Sequence, residues 1–255
     1  MENNYNRFSR VVEDYLRYRP HYPYELVDRL KAEDCRLSSS DVIADIGSGT
    51  GFLTEVLLKH GNTVYGVEPN AEMRAAAESY LHPYPRFTSI SGTAESTGLP
   101  DHSIQIITVG HAFQWFQAGP TRQEFLRILI PGGWVVLVHN MAVNDGTPFT
   151  AALDEVWKQY FLPHTWSHDG AIKPPESISS FFYGNFKQFS LDNSHACDLT
   201  TLQGRALSFS FSPEPEDPKR SALLAELADI FYQYQMNGVV NLAYQTVVVY
   251  GQLIV

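Results

Sequence analysis

Between residues 41 and 139, short apolar runs alternate with stretches whose apolar positions recur every three or four residues. Val42–Ile46 is a run of buried-strand type, and a glycine-rich turn follows it. Leu53, Val56 and Leu57 then recur at helical spacing, and Gly61 stands where a helix stop belongs. Thr63–Val67 predicts a second strand, and Asn70 an N-cap for a helix over about 71–80. Phe87–Ser91 and Ile104–Val109 predict the third and fourth strands. Thr121 and Glu124 have capping-box spacing before Phe125, Leu126 and Leu129. Pro131-Gly132-Gly133 predicts a turn, and Trp134–Val138 a fifth strand. Strand and helix in alternation mean a parallel sheet wrapped by helices.

Outside this segment the rhythm differs. Residues 5–34 have a helical pattern broken by Arg19-Pro20-His21-Tyr22-Pro23, because prolines end helices. Beyond 140, helical patterns are expected at 148–162, 199–207 and 219–236, with loops at 163–185 and Ser212–Pro218. Strands are expected at Phe186–Leu191 and Thr246–Ile254. Phe181-Phe182-Tyr183, Phe209 and Phe211 are expected to fill core.

Composition narrows the classes. The 255 residues are 44% hydrophobic and 18% charged, with net charge −10 and scattered Lys and Arg. Nucleic acid is therefore not expected as a partner, since phosphate binding needs clustered cations. Cys35 and Cys197 are the two cysteines; they lack metal spacing and are expected to be structural thiols. No metal site is expected. No run of 18 apolar residues occurs and the N-terminus is polar and aromatic, so the expected location is the cytoplasm, without a membrane span.

The turn itself is Gly47-Ser48-Gly49-Thr50-Gly51-Phe52. Glycines allow positive φ and close approach of a ligand to backbone, and such a turn lies at the carboxyl ends of the strands, where open α/β sheets bind ligands. A dinucleotide would prefer G-x-G-x-x-G. Here the third glycine comes one residue early and Phe52 occupies its place, which disfavours an NAD-dependent oxidoreductase.

Asp45-Ile46-Gly47-Ser48-Gly49-Thr50-Gly51 resembles motif I of the class I S-adenosylmethionine-dependent methyltransferases. Glu68, 17 residues after Gly51, matches the family's acidic residue that binds both ribose hydroxyls; a carboxylate can accept both hydrogen bonds. By the same resemblance, Asp45, Gly47, Ser48, Gly49, Gly51, Glu68, Pro69 and His111 line the cofactor, and in Gly92-Thr93-Ala94-Glu95 the Ala94 backbone and Glu95 carboxylate lie beside the adenine. Leu129-Ile130-Pro131-Gly132-Gly133 resembles the family's turn before the fifth strand, while Gln105 stands where an Asp is usual.

The resemblance implies a Rossmann-like, seven-stranded α/β sheet, mostly parallel with an antiparallel last strand, and helices on both faces. The chain is expected to form a single methyltransferase domain, 1–255, made of an N-terminal helical lid (1–40), a cofactor-binding core (41–140), helical insertions capping the substrate (141–245, with a strand near 186–191) and the last strand (246–255). His111-Ala112-Phe113-Gln114-Trp115-Phe116 sits where the methyl acceptor approaches, and with Tyr18-Arg19-Pro20-His21-Tyr22-Pro23 it resembles the trans-aconitate methyltransferase subgroup, which esterifies carboxylates. Tyr18, Arg19, Tyr22, Gln114, Trp115 and His139 are thus the expected substrate residues. Arg19 has two readings: a bidentate clamp on a substrate carboxylate, or a partner for an acidic residue nearby. A carboxylate acceptor needs no base; a hydroxyl would want one, and His111 or His139 is available. The expectation is methyl transfer from S-adenosyl-L-methionine to a small organic molecule, leaving S-adenosyl-L-homocysteine. Alternatives are the oxidoreductase and a non-catalytic S-adenosylmethionine-binding module. The acceptor and the oligomeric state are not legible.

Overall fold

The structure is a computed structural model describing residues 9, 11–161, 176–209 and 212–254. Val12–Tyr18 (α1) and Glu25–Ala32 (α2) flank the proline break. Then follow β1 (Val42–Ile46), α3 (Phe52–His60), β2 (Thr63–Val67), α4 (Ala71–Tyr80), β3 (Phe87–Ile90), β4 (Ile104–Gly110), α5 (Ala118–Ile128) and β5 (Leu129–Ala142). The remainder is α6 (Pro148–Tyr160), α7 (Glu176–Phe181), β6 (Lys187–Cys197), α8 (Leu199–Leu207), α9 (Pro218–Tyr234) and β7 (Val240–Gly251). One seven-stranded sheet has the order β3-β2-β1-β4-β5-β7-β6; it is mostly parallel with its last strands antiparallel, the expected Rossmann-like architecture.

Local chemistry sets the boundaries of the core elements. Gly61 ends α3 at φ 104°, a left-handed conformation that lets its amide donate to the Leu57 and Leu58 carbonyls. Asn70 caps α4 by accepting from the Met73 amide. Gln105, at the start of β4, accepts the Val42 amide at 2.8 Å and so pins the neighbouring end of β1.

Several expectations need correction. Thr121 and Glu124 do not form a capping box: α5 begins at Ala118, and Glu124 instead accepts from the Thr97 amide, the Thr97 hydroxyl and Arg127. Pro131-Gly132-Gly133 is not a turn before a strand but an irregularity inside β5, where Leu129 pairs Ile104 and Trp134 pairs Ile106. The expected loop at 163–185 contains α7; its 163–175 part lies outside the described residues, as does Phe211. Strand β7 starts at Val240 rather than Thr246, and β6 runs on to Cys197. Phe181, Phe182 and Phe209 are buried as expected, but Tyr183 is 68% exposed, with Arg122 stacked over its ring at 4.3 Å.

The chain divides into two compact units. One comprises His21–Asn140, Lys173–Leu191 and Thr246–Val255; the other comprises Met1–Pro20, Met141–Ile172 and Asp192–Gln245. The first packs both faces of the sheet, with Ile46, Val109, Phe125 and Leu137 in one cluster and Leu30, Ile43, Leu57 and Val138 in the other. The second packs α6, α8 and α9 around Leu153, Trp157, Leu202, Leu227 and Tyr244. Both cysteines are free and buried; burial pushes the Cys35 thiol up to about 11 and the Cys197 thiol to about 12, which leaves them inert near neutrality. No described helix is long and apolar enough to cross a membrane.

Candidate functional site

The site is built where β1 gives way to α3. Gly47, Gly49 and Gly51 take φ of 67°, 56° and 93°, a region in which a side chain is strained. The three are not equivalent. A Cβ on Gly47 would stand 2.7 Å from Ala112 Cβ and 3.3 Å from the Phe116 ring, and one on Gly51 would stand 2.6 Å from Leu81 Cδ1. A Cβ on Gly49 would meet nothing within 4 Å among the described residues. Gly47 and Gly51 therefore serve packing, whereas Gly49 presents bare backbone to open space.

Glu68, at the end of β2, is only 8% exposed, and both its oxygens are held: the Gly49 amide donates to Oε2 at 3.0 Å and the Asn70 amide to Oε1 at 2.9 Å. Burial raises its pKa against these two donors. A carboxylate offers about four acceptor positions, so two remain for a further donor pair. Arg74 steadies the segment, donating from Nη1 to the Glu68 and Pro69 carbonyls at 2.8 Å each. Sequence reasoning missed Arg74; its place one turn into α4, after the acidic residue and cap, was the available signal.

Asp45 stands differently from its expected role at the ligand. It is fully buried, with Thr54 donating to Oδ2 at 2.6 Å and Thr108 to Oδ1 at 2.9 Å. It ties β1, α3 and β4 together beneath the turn and has no surface to offer. Burial pushes its pKa up to about 6, the two hydroxyls opposing. Thr54 and Thr108 were also missed, because a hydroxyl inside an apolar pattern resembles an ordinary core threonine.

Ala94 is buried, and Glu95 is committed elsewhere: its Oε1 accepts the Gln117 amide at 2.8 Å, at the N-terminus of α5. One oxygen of the carboxylate expected at the adenine thus already holds the start of that helix. Ser48 Oγ lies 3.0 Å from the Cβ position of Gly66 on β2.

On the side where the acceptor was expected, His111 leaves β4 at φ 52°, its amide donating to the Val138 carbonyl. Its ring lies 5.5 Å from that of His139 on β5. Among the described residues, buried His139 Nε2 has no hydrogen-bond partner, and burial pushes the imidazole down to about 4, so it is neutral at pH 7. Gln114 donates to the His111 carbonyl at 3.0 Å, and Trp115 is 38% exposed. The Tyr22 hydroxyl lies 3.1 Å from the Cβ position of Gly110, beside His111.

The turn, Glu68, His111, Gln114, Trp115, Tyr22 and His139 all belong to one compact unit. Tyr18 and Arg19 belong to the other, where Tyr18 covers Gly204 of α8 and Arg19 donates to the Ser208 carbonyl at 2.9 Å while stacking over Tyr15 and Phe209. Of the two readings of Arg19, neither includes this carbonyl partner.

Residues 44–137 match a family model described as a methyltransferase domain. An uncharacterized methyltransferase-like protein of Schizosaccharomyces pombe is 25% identical over 249 residues, 94% of this chain and 92% of its own. An uncharacterized methyltransferase of Mycobacterium tuberculosis is 35% identical over 133 residues; that match spans 52% of this chain and about half of that relative, 51%. Among solved structures, a proposed type II methyltransferase from Anaeromyxobacter dehalogenans superposes with a TM-score of 0.67 at 21% identity, covering 92% of this chain and 98% of its own.

Proposed function

Because the chain belongs to the class I S-adenosylmethionine-dependent methyltransferases, we propose that it transfers the methyl group of S-adenosylmethionine to a small organic acceptor. The observation that carries this reading is Glu68, held by two backbone amides beside the open face of Gly49. That pairing fits the cofactor: bare backbone at Gly49 accommodates close approach, and the remaining acceptor positions of Glu68 suit the two ribose hydroxyls. The Ala94 backbone would flank the base. When bound, the cofactor supplies an electrophilic methyl on a positively charged sulfur.

The chain's own contribution is positioning and exclusion of water. Aligning acceptor and donor can supply several kcal/mol of the barrier. Trp115 and Phe116 wall the site, and neutral His139 lines it without adding positive charge near a sulfonium. A carboxylate acceptor is ionised at neutral pH and needs no base. A hydroxyl acceptor would pass its proton to His111, since a group titrating near 4 is a weak base at pH 7. Tyr22, Gln114, Trp115 and His139 are the acceptor-side residues of this reading.

Phe52 weighs against an oxidoreductase. It is 6% exposed, stacked on His21 at 4.2 Å and edge-on to Tyr80, where a dinucleotide fingerprint wants glycine. The test is calorimetry with S-adenosylhomocysteine and with NADH, followed by transfer of labelled methyl from S-adenosylmethionine to a panel of small carboxylates, phenols and alcohols. Saturable binding of S-adenosylhomocysteine alone, with label reaching one acceptor class, is expected. Saturable NADH binding without it would overturn the reading; cofactor binding without transfer to any acceptor would leave the non-catalytic module.

A further inference from the structure

Arg205 sits in the last turn of α8 and is only 6% exposed. A guanidinium carries five N–H donors and is charged at every physiological pH, so it is rarely buried without an acceptor. Arg205 has few acceptors. Nε donates to the Tyr244 hydroxyl at 3.1 Å, and the guanidinium stacks over Phe209 at 4.4 Å. Among the described residues, buried Nη1 has no hydrogen-bond partner and no carboxylate forms an ion pair with the guanidinium. Unpaired buried charge is costly and persists where something else requires it.

The same side chain lines a pocket wholly inside its own compact unit. The pocket is partly open to solvent. Its walls are mostly apolar: Leu153 and Trp157 from α6, Phe209 after α8, and Leu242 from β7. Asp154 is also on the wall, its Oδ2 already accepting from Asn144 at 2.7 Å. One buried cation with an unused donor, set among apolar side chains, is the arrangement that recognises an anion carrying an apolar body.

We propose that this pocket binds the carboxylate of a small organic acid, with Arg205 as the recognising cation and Leu153, Trp157 and Leu242 against the acid's apolar part. Tyr244 holds the guanidinium by accepting from Nε, which leaves the Nη edge for the ligand. This site is independent of the methyl-transfer reading, since none of its residues touches the glycine turn or Glu68 in the contacts above.

The test is calorimetry of the full chain with propionate, hexanoate and phenylacetate, each against its amide, and with inorganic phosphate. At least one acid should bind saturably, its amide ten-fold or more weaker. Arg205→Met should lower acid binding ten-fold or more while S-adenosylhomocysteine binding stays as in the wild type. Should Arg205→Met fail to fold, Ala142→Leu enlarges a side chain that lines the pocket and packs on the same core, and should produce the same loss. The proposal is overturned if no acid binds, if acid and amide bind equally, if phosphate matches the best acid, or if the variant that folds binds the acid unchanged. Absence of S-adenosylhomocysteine binding by the wild type would strike the methyl-transfer reading alone.

Discussion

The Gly49 amide donates to Glu68 Oε2 at 3.0 Å, joining the turn after β1 to the end of β2 across 19 residues. The bond fixes the carboxylate beside the one glycine of the turn whose Cβ position is open. Glu68→Ala removes the acceptors for the Gly49 and Asn70 amides together with those intended for a ribose. S-adenosylhomocysteine affinity should fall ten-fold or more, about 1.4 kcal/mol. Glu68→Gln keeps one acceptor oxygen and should fall in between. Calorimetry on both variants decides: full affinity in the alanine variant would remove Glu68 from the ribose.

The glycines of the turn separate packing from binding. Alanine in the left-handed region costs about 1–2 kcal/mol at any of them. At Gly47 a clash with Ala112 Cβ at 2.7 Å is added, whereas at Gly49 nothing is met within 4 Å. Urea unfolding should therefore show Gly47→Ala less stable than Gly49→Ala. The ligand should invert the comparison for Gly49, whose variant stays folded yet loses S-adenosylhomocysteine affinity. A Gly49→Ala protein with full affinity would mean that the open face is not where the cofactor approaches.

Asp45 carries a pH signature. Its folded pKa of about 6 lies above its ordinary value of 3.8. Between about pH 4 and pH 6 the folded chain thus binds more protons at this position than the unfolded chain, and this contribution to stability falls as pH rises through that window. Two pKa units correspond to at most about 3 kcal/mol. Asp45→Asn cannot titrate, so its unfolding free energy should lack this fall, even if its mean stability changes through the hydrogen bonds to Thr54 and Thr108. Parallel wild-type and variant curves from pH 4 to 6 would show that Asp45 does not titrate there.

Much of the sheet core was legible in the sequence, and the reason is burial. β1, β2 and β4 are covered on both faces, so they are written as apolar runs, and Gly61 and Asn70 mark helix ends by local chemistry. The first half of β7 was not legible because Val240, Leu242 and Tyr244 are buried while Asn241 is exposed, an alternation that merged with the helical pattern before it. Glu124 misled for another cause. Its spacing from Thr121 is that of a local cap, yet its partners Thr97 and Arg127 include one 27 residues away. At the site, the turn and Glu68 could be found because their spacing is fixed by the strand–helix unit. Arg205 could not, since a basic residue in the last turn of a helix is ordinarily solvated and only packing reveals its burial.

His139 gives the opposite pH sign from Asp45 at a separate place. Burial holds its imidazole at about 4, below the ordinary 6.5. The unfolded chain therefore binds the extra proton between about pH 4 and 6.5, so stability from this group is complete above about 6.5 and is lost as pH falls toward 4. The difference of about 2.5 units corresponds to roughly 3 kcal/mol at its fullest. Nε2 has no hydrogen-bond partner among the described residues, so His139→Leu removes a titrating group without orphaning one of them there. Urea unfolding at pH 8 and pH 5 should show the wild type losing more stability on acidification than His139→Leu. Proton NMR should find the His139 ring neutral through the whole range from pH 8 to about 5. A ring that titrates near 6.5 would show that burial does not suppress its charge, and would restore His139 beside His111 as a base for a hydroxyl acceptor.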